Sequence, residues 1–346
     1  MSVPDRAVDR PLENTQVLLA SRPTGVPTVD NFRIASAPIP RLGPGEVLLR
    51  TIFLSLDPYM RARMNAGGSY AAPVEVGSVM TGGTVSEVCA SNHDDFEIGD
   101  VVLAHCGWQK FGVQPGAELR KLDPDVAPVS TALGVLGMPG FTAYAGLAEI
   151  GRPKAGETVV VAAASGPVGS TVGQLARIAG ARVVGIVGGQ RKVEHIRELG
   201  FDEALDHRAA DFGTQLERAT PDGIDVYFEN VGGRVWEKVF PRLNLYARVP
   251  VCGLVATYNG TETPVGPDPG TFMSTVLRKS LYIRGFIQTE FVAVHSERFL
   301  TEASQWIRDG SLRYREDIVD GLENAPAAFL GMLRGENFGK LIIRVG

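Results

Sequence analysis

A chain of 346 residues, 44% hydrophobic and 21% charged with a formal net charge of -5, is long enough for two cores and has the make-up of a soluble globular protein. The mild acidity excludes a broad nucleic-acid-binding face, and no apolar run, "TVVVAAAS" included, is long enough to span a bilayer. Cys89, Cys106 and Cys252 are too few and too scattered for a disulfide framework or a zinc cluster, which points to a reducing cytoplasm.

The start, "MSVPDRAVDRPLEN", is polar and carries both charges, unlike a signal peptide, so residues 1–15 are expected as a loosely held arm. From Gln16 to about Leu122, short apolar runs such as "TQVLLASR", "GEVLLRTIFLSL" and "GDVVLAHCG" are broken by Gly, Pro and Asp. Many short strands with turn signals predict a compact, barrel-like β unit. A helical stretch is expected near 131–150. From Glu157 strands and helices alternate: "TVVVAAA" with "PVGSTVGQLARIAG", "RVVGIVG" with "QRKVEHIRELG", "EALDH" with "DFGTQLERAT", "IDVYFEN" with "GRVWEKVFPRL", then "YARVPVCG". That alternation predicts an α/β doubly wound parallel sheet. The final "GKLIIRV" is again strand-like and is expected to return to the first unit.

Gly166, Gly169 and Gly173 in "AAASGPVGSTVG" follow an apolar strand and open a helix. Glycines there allow a tight turn and close backbone approach to a pyrophosphate, while the helix start favours negative charge. The second strand of the same unit ends in "GGQRK", where many dinucleotide-binding chains place an acid on the ribose hydroxyls. Gly188 and Gly189 leave room, and Arg191 and Lys192 supply positive charge suited to a 2′-phosphate, which points to NADP rather than NAD. The plainer reading makes both cations solvated charges on the first turn of a helix.

The segments "LSLDPYMRARM" (54–64), "SYAAPVEVGSVMTGG" (69–83), "GMPGFTAYAGLAEIG" (137–151), "AAASGPVGSTVGQLARIAGARVVGIVGG" (162–189), "YFENVGG" (227–233), "CGLVATYN" (252–259) and "GENFGKLIIRV" (335–345) together resemble the medium-chain dehydrogenase/reductase superfamily. Within it the chain is similar to the zinc-free, NADPH-dependent alkenal/one oxidoreductases, the leukotriene B4 dehydrogenase/prostaglandin reductase group with its bacterial curcumin-reductase-like members. The resemblance implies a GroES-like catalytic domain over residues 16–134 and 314–346 and a Rossmann NADP-binding domain over 135–313. It also implies a cofactor set of Gly166, Pro167, Val168 and Gly169 at the pyrophosphate and Gly188, Gly189, Arg191 and Lys192 at the 2′-phosphate. Asn230, Cys252, Tyr258 and Asn337 complete that set. His207 stands where the prostaglandin reductases have a tyrosine beside the adenine ribose, and it would face a phosphate better when protonated.

No three ligands for a catalytic zinc come together in the sequence: Ser55, Leu56 and Asp57 occupy the segment where zinc alcohol dehydrogenases carry a cysteine, and adjacent His105 and Cys106 read as buried bystanders. The implied reaction is reduction of the C=C bond of an α,β-unsaturated ketone or aldehyde, with hydride reaching the β-carbon and an enolate then protonated. Tyr258 is the expected donor to the enolate oxygen. Tyr59 and Tyr70 are further candidates, or else line the pocket or sit in the core. Asp57 and Arg61 read as structural, and Phe111, Phe286 and Phe291 as apolar walls near the cleft. A zinc-free quinone reductase and a non-catalytic NADPH-binding sensor remain as alternatives. "KSLYIRGFIQ" (279–288) reads as a sheet edge that would pair across a two-fold axis in a homodimer. The partner is a small molecule, with neither nucleic acid nor membrane.

Overall fold

The computed structural model describes residues 13–67, 70–260 and 266–346. Strand β1 (Glu13–Leu19) pairs antiparallel with β2 (Phe32–Pro38). The expected arm therefore ends early: residues 1–12 lie outside the described residues, while 13–15 are already strand. The cause is Asn14, 1% exposed, whose amide donates to Gln109 Oε1 and the Phe111 carbonyl while its own oxygen accepts the Phe111 N–H. A buried amide with its partners satisfied pins the chain.

There follow β3 (Glu46–Ser55), α1 (Tyr59–Arg63), β4 (Thr84–Ser91), β5 (Val101–Ala104), β6 (Phe111–Pro115) and β7 (Arg120–Lys121). The long β3 is the hub. Its first half pairs with β6 and its last three residues pair with a strand from the far C-terminus, while β4 runs along its other edge. Val47, Leu49 and Leu54 on β3 are fully buried.

The helical stretch expected near 131–150 is broken. A 3-10 turn covers Val129–Leu133, α2 covers Met138–Gly146, and a π turn ends it at Leu147–Gly151. Between the first two the chain folds back on itself. A Cβ on Gly137 would lie 1.9 Å from the Ala132 carbonyl oxygen, and one on Gly140 1.9 Å from that of Val135, so only glycine allows this approach.

The second half alternates as expected: β8 (Thr158–Ala162), α3 (Pro167–Ile178), β9 (Arg182–Val187), α4 (Gln190–Glu198), β10 (Glu203–Asp206), α5 (Phe212–Ala219), β11 (Ile224–Phe228), α6 (Gly233–Val239), β12 (Leu243–Val251), α7 (Pro269–Lys279) and β13 (Tyr282–Gly285). These strands form one parallel sheet in the order β10-β9-β8-β11-β12-β13. All five residues of β8 are buried, because helices cover both faces. Val159 and Val161 enter one core and Val160 and Ala162 the other. The strand order reverses direction between β8 and β11, and ligands of such sheets bind at the carboxyl ends of the strands at that switch point. The edge segment is shorter than expected: residues 279–281 close and leave α7, Ser280 at φ +47°, and only Tyr282–Gly285 is strand.

Helix α8 (Val292–Arg308) then leads to β14 (Glu316–Asp320), α9 (Ala325–Leu333) and β15 (Lys340–Arg344). β15 lies parallel to β14 and antiparallel to the end of β3, so the C-terminus does rejoin the first sheet. No helix among the described residues is long and apolar enough to cross a membrane.

Candidate active site

The loop after β8 brings Gly166 to the head of α3. No side chain caps this helix, so its first N–H groups are free for an anion. Pro167 opens it with a preset φ and no N–H of its own, and the Val168 side chain packs into the core. Gly169 cannot be replaced without a shift, since its Cβ would lie 2.4 Å from the Ala163 carbonyl oxygen; Ala163 itself holds φ +50°, a strained value for a residue with a side chain. Gly173 serves packing alone: its Cβ would enter the Phe201 ring at 1.9 Å. The loop is tied to the C-terminal segment by the Gly339 N–H, which donates to the Ser165 carbonyl. Asn337 lies beside that bond and donates to the Gly339 carbonyl. At the switch point Asn230 donates to the Ala162 carbonyl, anchoring the end of β11 to that of β8.

At the end of β9, Gly188 underlies two cationic or ionisable groups. A Cβ there would lie 3.0 Å from His207 Nε2 and 3.1 Å from Arg208 Nε. Gly189 has φ +102°, and its N–H donates to Asp206 Oδ1, which also accepts the Arg208 N–H. The Asp206 carboxylate is thus committed to backbone. Lys192 donates to the Gly335 carbonyl and lies over the Phe338 ring, as do Arg191 and Arg315. Burial, then Arg208, pulls the Lys192 ammonium below its ordinary value, against a smaller opposing pull from Asp317. Burial and the neighbouring Arg208 push His207 below its ordinary value, which disfavours the protonated form that would suit a phosphate. The sequence reading missed Arg208, although it directly follows His207 in "LDHR".

A cleft of about 580 Å³ opens between the two sheets. Ser55, Tyr59, Arg63 and Tyr70 form one side, and Met138 with Ile287–Thr289 the other. Tyr59 is shifted far up by burial and by Asp57, and Tyr70 is raised by burial, so both are neutral phenols and hydrogen-bond donors at physiological pH. Tyr258 is not part of this wall; its hydroxyl lies beside Gly253, where a Cβ would be 3.2 Å away. Burial raises it too, and Cys252 and Tyr70 lie close enough to add to that rise, which puts the three in one neighbourhood. The Cys252 thiol is pushed up to about 12 by enclosure and by Glu229, and is inert as a thiolate.

Arg61 holds this neighbourhood together. It is 2% exposed and donates to the Gly25 carbonyl, Asn65 Oδ1 and Asn259 Oδ1, locking the Tyr258-bearing turn to α1. Asp57 does not pair with it. Instead Lys340 on β15, fully enclosed, donates to Asp57 Oδ1 and the Leu56 carbonyl at 2.7 Å each, and the Ser55 hydroxyl donates to Asp57 Oδ2. His105 is not a buried bystander: its rim lines the cleft, while protein on its other sides holds the imidazole below its usual value. Cys106 is buried. Phe286 and Phe291 are not walls of the cleft but pack with Phe228 and each other in the core; Phe111 lies on β6, away from it. Among the described residues no three His, Cys, Asp or Glu side chains are grouped as metal ligands.

Comparison with known proteins agrees with this architecture. The family profile "N-terminal domain of oxidoreductase" matches residues 15–122, and "Zinc-binding dehydrogenase" matches residues 167–307. The chain is 54% identical over 334 residues to an NADPH-dependent curcumin reductase of Escherichia coli (96% of this chain, 97% of the relative). It is 41% identical to prostaglandin reductase 1 of Rattus norvegicus (92% and 95%). The crystal structure of CurA in complex with NADPH from Vibrio vulnificus superposes with a TM-score of 0.93 at 50% identity, covering 96% of this chain and 99% of that one. The chain therefore belongs to the medium-chain dehydrogenase/reductase superfamily, in the alkenal/one oxidoreductase group that holds the prostaglandin and curcumin reductases.

Proposed function

We infer that this protein uses NADPH to saturate the C=C bond of α,β-unsaturated ketones and aldehydes without zinc. The observation that carries this is a cleft lined by neutral phenols that opens between the nucleotide sheet and the N-terminal sheet. The residues present fit the dinucleotide. The uncapped start of α3 with Gly166–Gly169 would hold the pyrophosphate. Lys192, Arg208 and Arg191, over the space left by Gly188 and Gly189, would hold the 2′-phosphate, with His207 beside the adenine ribose. Asn230, Cys252, Tyr258 and Asn337 stand toward the nicotinamide end. When bound, NADPH supplies the hydride.

The chain's own residues then orient the conjugated carbonyl and donate hydrogen bonds to the oxygen as negative charge builds on it. Tyr258 takes that role, and Tyr59 and Tyr70 shape the substrate end. Water admitted through the cleft supplies the α-carbon proton. Zinc does not suit the donor set, since Ser55 and Asp57 are engaged with each other and with the Lys340 ammonium, a cation where a metal would sit. We assign the catalytic unit to residues 16–134 and 314–346 and the nucleotide unit to 135–313. The outermost strand β13, paired only with β12, supports a homodimer formed edge to edge. Three free cysteines support a cytosolic location.

The test is turnover of a neutral enone, trans-3-nonen-2-one, with NADPH and separately NADH, followed by product analysis. The saturated ketone as product, with NADPH strongly preferred, is expected. Tyr258→Phe should slow kcat by about tenfold, the worth of one donor hydrogen bond, and leave the preference for NADPH over NADH intact. An allylic alcohol as product overturns the assignment.

A further inference from the structure

The "DPYMRAR" segment carries two buried arginines with opposite fates. Arg61 spends its guanidinium on three acceptors. Arg63, 8% exposed and on the cleft wall, has a Nη1 that is shut off from water and has no hydrogen-bond partner. Among the described residues it forms no ion pair. The acid on the same wall, Asp57, is taken by Lys340 and Ser55, and Glu75 pairs with Arg22. What faces Arg63 instead is aromatic: its guanidinium carbon lies 4.7 Å from the centre of the Tyr70 ring and 5.7 Å from that of Tyr59.

Ring faces offset part of the cost of a buried cation but accept no hydrogen bonds in its plane. A permanently structural arginine at this depth would be expected to have found oxygen acceptors, as Arg61 has. Tyr70, whose ring covers the guanidinium, is itself 60% exposed and lines the cleft. A planar carboxylate is the group that best completes such a site, since a guanidinium offers it two parallel donors.

We propose that Arg63 is a specificity-determining residue that receives a carboxylate carried by the substrate, so that the preferred substrates are acidic enones and enals. This rests on the reductase reading and narrows its substrate class. The positive end of the cleft then selects the substrate's charged tail, while the neutral phenols act on its conjugated carbonyl.

The experiment compares an enone bearing a terminal carboxylate with its methyl ester, using NADPH and the wild-type, Arg63→Met and Arg63→Lys proteins. The acid should be favoured over the ester by at least about tenfold in kcat/KM, chiefly through KM. That ratio should fall to near one in Arg63→Met and be partly kept in Arg63→Lys. Equal use of acid and ester by the wild type, or a ratio that Arg63→Met leaves unchanged, overturns the proposal. Calorimetric titration of the wild-type protein, saturated with NADP+, with the saturated acid and its ester decides the matter even if Arg63→Met fails to fold. Tighter binding of the acid supports the proposal and equal binding overturns it. Reduction of neither compound, nor of trans-3-nonen-2-one, would instead sink the reductase reading, while the titration would still report on Arg63.

Discussion

The regions proposed for the nucleotide and for the substrate are built from different materials. The region proposed for the nucleotide rests largely on backbone, an uncapped helix start and glycines whose missing side chains leave room, with cationic side chains grouped over Gly188. The substrate end is made of side chains brought from far apart in sequence, with Lys340 reaching Asp57 and Arg61 reaching Gly25 and Asn259. A site of the first kind depends on local geometry, and one of the second kind on long-range pairs that either all form or fail together.

Removing one of those pairs should have the largest effect. In Lys340→Met the Asp57 carboxylate stays buried without its counter-charge, and loss of one partner of a buried ion pair costs about 3–5 kcal/mol. Urea denaturation should show that loss, and the double variant Lys340→Met/Asp57→Leu should recover much of it. A single variant as stable as the wild type would mean that the substrate end does not hang on this pair.

Changes at the nucleotide end should leave stability alone and alter cofactor choice. Lys192→Ala and Arg208→Ala should each raise the KM for NADPH by about ten- to hundredfold, the worth of a charge-assisted hydrogen bond, with NADH kinetics unaltered. An equal effect on both cofactors would place these cations away from the 2′-phosphate.

The smallest effect concerns pH and separates the ends least. His105 at the cleft and His195 and His207 near the nucleotide end all have pKa values lowered by burial. Between those values and about 6.5 the unfolded chain binds more protons than the folded one, so stability falls as pH drops through 6.5 and is flat above about pH 7.5. Tm should decline gradually by a few degrees from pH 7.5 to 5, and His207→Asn should flatten part of the slope. A Tm that rises on acidification would contradict the environments described here.

What could be read in the sequence follows the same division. The alternation of strands and helices and the glycine loop between β8 and α3 are local patterns, and each reappears where it was expected. The broken helix around Gly134–Gly137 was not legible, because its cause is the close approach of Ala132 and Val135 carbonyls to glycine Cα atoms. Phe286 and Phe291 were misplaced for a related reason: an apolar ring looks the same in sequence whether it faces a cleft or a core. Arg208 could have been found from its position next to His207. Lys340 and Arg63 could not, since nothing in "GKLIIRV" names Asp57 as a partner and nothing in "DPYMRAR" says which arginine is satisfied.

By itself the sequence determined the α/β class, the order of the elements and the glycine loop that opens α3, because hydrophobic period and glycine placement act within a few residues of the chain. Only the tertiary structure decided that Asp57 belongs to Lys340, that Arg61 joins the Tyr258 turn to α1 and that Arg63 keeps a buried Nη1 without a hydrogen-bond partner. A buried charge takes its meaning from what is packed against it, and those neighbours come from the other end of the chain.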